Sequence, residues 1–490
     1  MSSLRQLVSQ TAIYGLSSIL GRFLNYLLVP LYTYTFAAGQ YGVVSEFYAY
    51  AGFFAVLLAF GLETGYFRFR QRPGFDAQKV YACSLSFLFV TSLVFFVAAW
   101  CYVSELSTIL QYPSHPEYVL SFAGILAIDA LSALPFAHLR AENRAWRFAG
   151  IKLTEILLTI GLNLAFLLWL PVLAVSWPAV AEYYQPQQAV AYIFYANLIA
   201  SAVKLLLLLP QFKSVDFTLD KQFLGPMLHY SLPMVIIGFA GMVNEMLDRA
   251  ILKQLLPYDN ETNLKMLGIY GACYKLSILM TLFVQAFRYA GEPFFFAYAG
   301  RSDAKAAYAL VMRYFVITGV AIFLLVTLYI DFFKYFIGEE YRQGLAVVPV
   351  LLLANLCLGV YVNLSVWYKL SDRTGLGAWV AVAGALLTIG LNILWIPEMG
   401  YMGSAWATLV CYAFMTVLSW LLGRCFYPVP YPLARIGFYL GLGIVLYFLN
   451  PLIQIRWQLN IWFSASVCML FYVLVVGLLD VRPLLRRRAV

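Results

Sequence analysis

Long apolar stretches follow one another along the whole chain, separated by short polar segments. A helix needs about 20 apolar residues to cross about 30 Å of hydrocarbon. Fourteen stretches have about this length, at 9–36, 41–66, 79–102, 117–140, 146–170, 187–212, 222–256, 264–297, 305–330, 341–369, 376–397, 400–423, 433–450 and 458–480. The pattern predicts an all-α, polytopic membrane protein with about 14 transmembrane helices and no sizeable soluble domain.

Composition supports this interpretation. The chain is 63% hydrophobic and 11% charged, whereas soluble domains are about half apolar and about a quarter charged. The first stretch is too long for a cleavable signal, so we expect it to be a permanent helix near the start of the mature chain. Most of the seven cysteines fall inside apolar stretches, which favours small core residues over a disulfide framework or a metal site.

One segment of the sequence occurs twice. Thr159–Asn163 reads Thr-Ile-Gly-Leu-Asn, and the same five residues recur at Thr388–Asn392, 229 residues later (388 − 159). The same shift carries several other positions onto equivalents, namely Tyr41-Gly42 onto Tyr270-Gly271, Glu63 onto Glu292, Arg72 onto Arg301, Arg140 onto Lys369, and Arg144 onto Arg373. Matches at a single offset indicate an internal duplication.

The duplication defines a domain organisation. A repeat of six spans returns the chain to its starting side, so the two repeats are parallel. We predict an N-terminal six-helix lobe at 1–221, a C-terminal six-helix lobe at 222–424, and two additional helices with a basic tail at 425–490.

Lysine and arginine are concentrated on one side of the predicted membrane. The loops at 68–79, 140–147, 213–221, 301–305 and 369–373 and the tail at 482–488 are basic, whereas the opposite loops carry few basic residues. The positive-inside rule then places both termini in the cytoplasm. Basic loops that face anionic lipid explain the net charge of +9 without a nucleic-acid partner.

The first span has a polar face. Its polar and small residues recur at steps of three and four, at Thr11, Tyr14, Gly15, Ser18, Arg22 and Asn25. Arg22 lies near the middle of the span, where a charge costs about 3 kcal/mol in lipid. It must therefore face protein or water, either as a ligand-binding residue or as a structural charge. Glu46 and Glu63 of the second span lie toward opposite ends and are poor candidates for its partner.

Further charges fall in the later spans. Glu245 precedes Arg249 by four residues, which predicts an ion pair within the seventh span. Asp248 lies between them. Lys152 lies near a basic loop and is expected to extend its ammonium toward the interface.

The deep charges are mostly cationic. The cations are Arg22, Lys275, Arg288 and Lys204, against the anions Asp129 and Asp248. This balance favours an anionic substrate, and the planar arginine side chain suits phosphate because it donates two parallel hydrogen bonds.

Several short motifs resemble one family of transporters. Arg22, Pro30-Leu31-Tyr32-Thr33 and Tyr41-Gly42 resemble the start of bacterial polysaccharide-export flippases, a branch of the multidrug/oligosaccharidyl-lipid/polysaccharide exporter superfamily. Asp248-Arg249, Gly268-Ile269-Tyr270, Phe287-Arg288 and Glu292-Pro293 resemble the start of the second lobe in that branch. The resemblance implies two six-helix lobes that alternate between inward-open and outward-open states in the bacterial cytoplasmic membrane. It also implies a substrate that consists of a glycan linked to undecaprenyl diphosphate.

The resulting hypothesis is a lipid-linked oligosaccharide flippase. It assigns substrate binding to Arg22, Asn25, Lys275 and Arg288, and gating or ion-pair roles to Glu63, Asp248, Arg249 and Glu292. The expected partners are the lipid-linked glycan and membrane lipids, with glycosyltransferases or a polysaccharide polymerase as possible associates. We expect a monomer with no cofactor and no metal.

Three alternatives remain open. A flippase for the peptidoglycan lipid precursor is disfavoured because the second span has no arginine near its middle. A cation-coupled multidrug or metabolite exporter is disfavoured because the first span has no Asp or Glu. A membrane glycan polymerase or acyltransferase is disfavoured because His115, His138 and His229 form no pair with metal-ligand spacing and no large loop offers a catalytic site. The chain has no Gly-Lys dipeptide, so the nucleotide-binding GxxxxGK[ST] loop is absent.

Overall fold

Of the residues that the structure describes, 86% are helical. The computed structural model describes residues 15, 19–21, 23–182, 184–213 and 215–481, and that part of the chain contains no strand. Within it, 12 helices are long and apolar enough to cross a membrane, or up to 13 when one bent pair is counted as a single span. The predicted all-α membrane fold is therefore confirmed, and the first predicted span, 9–36, lies only partly within the described residues.

The chain divides into two compact units, with the division between Ala250 and Ile251. The helices of the first unit are α1 (Leu28–Thr35), α2 (Ala38–Ala59), α3 (Leu62–Arg70), α4 (Ala77–Cys101), α5 (Val103–Ile109), α6 (Pro116–Ala141), α7 (Ala145–Leu164), α8 (Leu170–Ser176), α9 (Pro178–Ala181), α10 (Ala189–Leu208) and most of α11 (Lys221–Leu255). A π-helical turn, Ala165–Trp169, joins α7 to α8. The domain boundaries at 221 and 424 follow the repeat, a different criterion from compactness, and stay predictions.

A break divides the second span into α2 and α3. Phe60 and Gly61 both have left-handed backbones, with φ of 50° and 63°. A Cβ atom on Gly61 would lie 2.8 Å from the carbonyl oxygen of Ser231, and one on Gly65 would lie 2.5 Å from the Ser231 hydroxyl. Gly61 and Gly65 thus form a Gly-x-x-x-Gly motif that lets α11 approach closely, the usual role of small residues between membrane helices.

The second unit begins after Ala250. Its helices are α12 (Asn260–Lys275), α13 (Ile278–Tyr298), α14 (Ala304–Leu328), α15 (Ile330–Phe333), α16 (Val347–Leu364), α17 (Val366–Leu370), α18 (Thr374–Met399), α19 (Tyr401–Phe426), α20 (Leu433–Trp457) and α21 (Ile461–Val476). Asp259 precedes α12, and its carboxylate caps the helix by accepting hydrogen bonds from the backbone N–H and hydroxyl of Thr262 at 3.0 and 2.8 Å. These bonds hold the pKa of Asp259 below its ordinary value.

The last two helices of the second unit pack against α14. α20 packs against α14, where a Cβ on Gly443 would lie 2.5 Å from Val320 Cγ1. The Tyr472 hydroxyl of α21 donates to the carbonyl oxygen of Ile317 on α14 at 2.8 Å. α21 continues as a π-helical turn, Gly477–Val481, which carries the buried Asp480.

The 229-residue shift fits the helices as well as the sequence. A shift of 229 moves the start of α4 to 306, and α14 begins at 304. It moves the start of α6 to 345, where α16 begins at 347, and the start of α7 to 374, where α18 begins at 374. The register is lost at the next helix, since α10 would start at 418 (189 + 229) but α19 starts at 401. The cause is the connection: residues 177–188 precede α10, whereas Gly400 alone separates α18 from α19.

The repeated pentapeptide has the same local structure in both copies. Asn163 and Asn392 are both fully buried. Each donates its amide to the carbonyl oxygen of the threonine four residues earlier, at 2.7 and 2.8 Å. Each side-chain oxygen accepts a hydroxyl from another helix, from Tyr32 at 2.9 Å in the first unit and from Ser404 at 2.8 Å in the second. The two asparagines therefore form equivalent hydrogen bonds, although the hydroxyl donors from the neighbouring helices differ.

Candidate substrate-binding site

A network of charged side chains lies inside the first unit, centred on Lys204. The Lys204 side chain is 2% exposed, and its ammonium donates to Asp129 Oδ1 at 2.5 Å and to Glu155 Oε1 at 2.6 Å. Ser201 also donates to Asp129 Oδ1, at 3.0 Å, and Lys152 donates to Glu155 Oε2 at 3.0 Å. We call these five residues the Lys204 network.

Three helices bring the network together. Asp129 lies on α6, Glu155 on α7 and Lys204 on α10. Ala196 and Ala200 precede Lys204 by eight and four residues on the same face of α10, and both are almost fully buried. Small residues at four-residue spacing allow membrane helices to pack closely. The helices can thus approach closely enough for the three side chains to meet.

The network balances its own charge. Two lysines face two carboxylates, so the formal sum is zero. A buried ion is tolerated in a low-dielectric interior only when it is paired and hydrogen-bonded. The network meets this condition for Lys204, which has two carboxylate partners.

Asp129 differs from the rest of the network in its exposure. Its side chain is 47% exposed, although it lies 13 residues from Pro116 (129 − 116), which is about 20 Å from that end of α6. A carboxylate in contact with lipid at this depth would cost about 3 kcal/mol. The exposed edge of Asp129 therefore faces water or a polar ligand.

Tyrosines on the first two spans continue this polar interior. The Tyr32 hydroxyl bonds to Asn163, as described above. Tyr41 lies within electrostatic range of the Arg249 guanidinium. Tyr48 lies within electrostatic range of Asp129. Tyr32 and Tyr41 are buried, whereas Tyr48 is 43% exposed.

Glu46 is an acid buried in the first unit outside this network. It is fully buried and accepts hydrogen bonds from Tyr50 at 2.8 Å and from Tyr112 at 2.5 Å. Tyr112 lies in the segment between α5 and α6, so this bond ties that segment to α2.

The predicted substrate-binding residues differ in whether the structure describes them and in how exposed they are. Arg22 lies outside the described residues. Its neighbour Gly21 packs against α7, where a Cβ would lie 2.6 Å from Ile156 Cδ1, next to Glu155 of the network. Asn25 is exposed. Lys275 is partly buried at the end of α12, and Arg288 is exposed on α13.

The predicted ion-pair residues of the first unit have defined partners. Arg140 Nη2 lies 2.6 Å from Glu63 Oε1. Arg249 Nε lies 3.2 Å from the Asp248 carboxylate, and Arg249 Nη2 donates to the backbone carbonyl of Glu245. The carboxylate that pairs with Arg249 is thus Asp248 rather than the predicted Glu245, because the guanidinium turns back along its own helix. Glu292 lies on α13, and its side chain is outside the description.

Sequence reasoning missed how the network is assembled. Lys204 and Asp129 stood out as deep charges, but their contact spans 75 residues and no short-range pattern signals it. Lys152 was expected to extend toward the interface. Instead its ammonium bonds to Glu155 and lies 4.7 Å from the centre of the Phe136 ring, because a carboxylate one helical turn away offers a stronger partner.

The sequence matches no protein-family model and no curated protein. In structure the chain is similar to the lipid II flippase MurJ in an inward closed conformation, with a TM-score of 0.68 and 14% identity over 96% of this chain and 99% of that chain. It is also similar to an outward-facing multidrug resistance MATE family transporter of the MOP superfamily, with a TM-score of 0.57 and 14% identity over 88% of this chain and 96% of that chain.

A third structure, of MATE in the straight conformation, gives a TM-score of 0.56 at 13% identity over 89% of this chain and 96% of that chain. The chain has the fold of these membrane transporters. This confirms the fold that the sequence resemblance implied. Identity this low leaves the substrate open, so the substrate has to be argued from the residues of the site.

Proposed function

We propose that the protein is a flippase that moves a glycan linked to undecaprenyl diphosphate across the bacterial cytoplasmic membrane by alternating access. The observation that carries this proposal is the extent of the structural likeness. A lipid flippase covers 96% of the chain, whereas a multidrug transporter covers 88% with a lower TM-score. The polar interior of the first unit supports it, because a glycan head group needs a hydrophilic path through the membrane.

The roles of the residues follow from their charge. Arg22 binds the diphosphate, since its fork matches phosphate oxygens, and Asn25, Lys275 and Arg288 assist it. Glu63, Asp248, Arg249 and Glu292 serve as ion-pair or gating residues. The isoprenoid tail stays in the lipid while the glycan passes through the polar interior.

One alternative function is cation-coupled export of drugs or metabolites. The structural likeness to multidrug transporters favours it. Loss of such a protein would sensitise cells to cationic dyes, which a growth assay detects.

The likeness to a lipid II flippase also favours a flippase for the peptidoglycan lipid precursor. Against it, the arginines of the second span, Arg68 and Arg70, lie in the last turn of α3 and not at its middle. A glycan polymerase or acyltransferase has less support, because the neighbours in structure are transporters and flippases.

The deciding experiment deletes the gene and follows lipid-diphosphate-linked oligosaccharides by mass and by leaflet. Accumulation in the cytoplasmic leaflet with loss of surface polysaccharide is the expected result. Unchanged intermediates with increased dye sensitivity would establish the exporter alternative in its place.

A substitution tests the role of Arg22. Arg22→Ala should reduce surface glycan by at least tenfold at normal protein level, because the diphosphate loses its bidentate partner. Arg144→Ala is the matched control, since Arg144 is a half-exposed arginine that pairs with Glu142, and it should export normally. Normal surface glycan in the Arg22→Ala strain would remove Arg22 from the site.

A further inference from the structure

The exposed edge of Asp129 has the properties of a hydrogen-bond acceptor left open for a ligand. Lys204 and Ser201 both donate to Oδ1. Oδ2 has no hydrogen-bond partner among the residues that the structure describes. Because the ammonium fixes the carboxylate through Oδ1, Oδ2 is held in one orientation.

Tyr48 adds an aromatic surface beside this acceptor. It belongs to α2, which packs against the α6 helix of Asp129. Its side chain is 43% exposed, and its hydroxyl is within electrostatic range of Asp129. Within the described part of the chain this hydroxyl forms no hydrogen bond, so it can both donate and accept. The two side chains thus present a carboxylate oxygen, a phenol group and the face of a ring near the middle of the membrane.

The chemistry of these groups selects a neutral, hydroxyl-rich ligand. An anionic oxygen repels a diphosphate, so the phosphates bind elsewhere. A free metal cation gains little here, because Lys204 already neutralises Asp129 and the network has no net charge. Sugar hydroxyls donate well to a carboxylate, in a charge-assisted hydrogen bond, and the apolar face of a sugar ring fits against an aromatic ring.

We infer that Asp129 and Tyr48 form the subsite for the glycan part of the substrate, held in place by the buried Lys204. This inference rests on the proposed function and assigns the diphosphate and the sugar of the substrate to different residues. The cationic residues bind the diphosphate, and the Lys204 network, whose net charge is zero, presents one carboxylate oxygen as an acceptor to the sugar next to it.

The test measures binding of two probes to the purified full-length protein in detergent. One probe is undecaprenyl diphosphate, and the other is undecaprenyl diphosphate that carries one N-acetylglucosamine. Asp129→Asn should weaken binding of the sugar-bearing lipid by about tenfold, because one charge-assisted hydrogen bond is lost, and should leave the bare lipid unchanged. Tyr48→Leu should give the same selective loss while it leaves the Lys204 network intact.

Glu155→Gln is the matched control. It removes the other carboxylate of Lys204, whose side chain is only 17% exposed, so it disturbs the network to a similar degree without touching the open edge. It should lower thermal stability and keep the preference for the sugar-bearing lipid. If Asp129→Asn does not fold, Tyr48→Leu decides alone.

The outcomes separate the two proposals. Equal loss of both probes in Asp129→Asn and Glu155→Gln would assign the network a purely structural role and overturn the subsite. If wild type binds the sugar-bearing lipid tightly and neither Asp129→Asn nor Tyr48→Leu weakens that binding, the subsite is overturned while the flippase proposal stands. Binding of neither probe by wild type would overturn the flippase proposal and the subsite with it.

Discussion

At the scale of single residues, the membrane interior determines what Lys204 can do. The Lys204 side chain is 2% exposed, so its ammonium needs partners to stay charged, and carboxylate oxygens of Asp129 and Glu155 both lie within 2.6 Å of it. Neither carboxylate is adjacent in sequence. The residue type was visible from the sequence, but the pairing required three helices to pack.

Replacement of Lys204 should therefore be costly. Lys204→Met leaves two carboxylates without their shared cation, and we expect a loss of about 3 to 5 kcal/mol in the free energy of unfolding. Thermal unfolding in detergent measures it. The matched control is Lys152→Met, because Lys152 is 36% exposed and has one carboxylate partner, so its loss should stay below about 1 kcal/mol.

The network also predicts a rescue. If unpaired charge is the cause, then Asp129→Asn and Glu155→Gln introduced together with Lys204→Met should recover much of the stability. A triple variant as unstable as Lys204→Met alone would show that lost packing, and not charge, explains the effect.

At the scale of elements, the duplication relates ion pairs as well as helices. In the first unit, Glu63 at the start of α3 pairs with Arg140 near the end of α6. The 229-residue shift places Glu292 and Lys369 at the equivalent positions, on α13 and α17. We predict that these two residues form the same pair in the second unit.

Charge exchange tests this pair. Glu292→Lys should destabilise the protein by about 1 kcal/mol, because two ammonium groups then face each other, and addition of Lys369→Glu should restore stability. Glu63→Arg with Arg140→Glu provides the reference pair, whose contact is seen directly. Independent, additive effects of the two changes at 292 and 369 would contradict the prediction.

The last two helices depend on one buried acid. The Asp480 side chain is fully buried, Arg313 Nε of α14 lies 3.2 Å from it, Arg435 Nη1 of α20 lies 3.4 Å from it, and the Tyr439 hydroxyl bonds to it. This carboxylate ties the end of α21 to both α14 and α20. The contacts of Asp480 thus anchor the two C-terminal helices, which lie outside the repeat and whose packing the repeat pattern could not predict.

Asp480→Asn should loosen that anchor. Loss of the charge leaves Arg313, 13% exposed, without its partner, so we expect faster hydrogen exchange in α20 and α21 and a lower melting temperature. Asp303→Asn is the control, since Asp303 pairs with Arg301 in a contact where both side chains are more than half exposed. Unchanged exchange in α21 would mean that apolar packing alone holds the helix.

At the scale of the whole molecule, two native cysteines can test the predicted orientation. Cys101 and Cys425 are both exposed, and they end helices that the positive-inside rule places at opposite membrane faces. A membrane-impermeant maleimide added to intact cells should label Cys101 and not Cys425. Disruption of the cells should then allow labelling of both.

Single substitutions identify each signal in this experiment. Cys101→Ser should abolish labelling of intact cells, and Cys425→Ser should abolish the additional labelling after disruption. Labelling of Cys425 in intact cells would reverse the predicted orientation and place the termini outside the cytoplasm.

The sequence by itself determined the class of the molecule. Apolar stretches of about 20 residues must become helices in lipid, since every backbone polar group has to be satisfied within its own segment. A constant offset of 229 residues reveals the duplication, because shared ancestry leaves matches at fixed spacing, and the helix starts of the second unit confirm it from α14 to α18.

Only the tertiary structure decided how the polar groups pair. Lys204 meets Asp129 and Glu155, Asn163 meets Tyr32, and Asp480 meets Arg313 because separate helices come to lie side by side. Sequence periodicity describes one helix at a time, so it can show that a charge is deep, as with Lys204, but not which carboxylate will neutralise it. Those contacts also leave one edge of Asp129 open, and the glycan subsite proposed here depends on that edge.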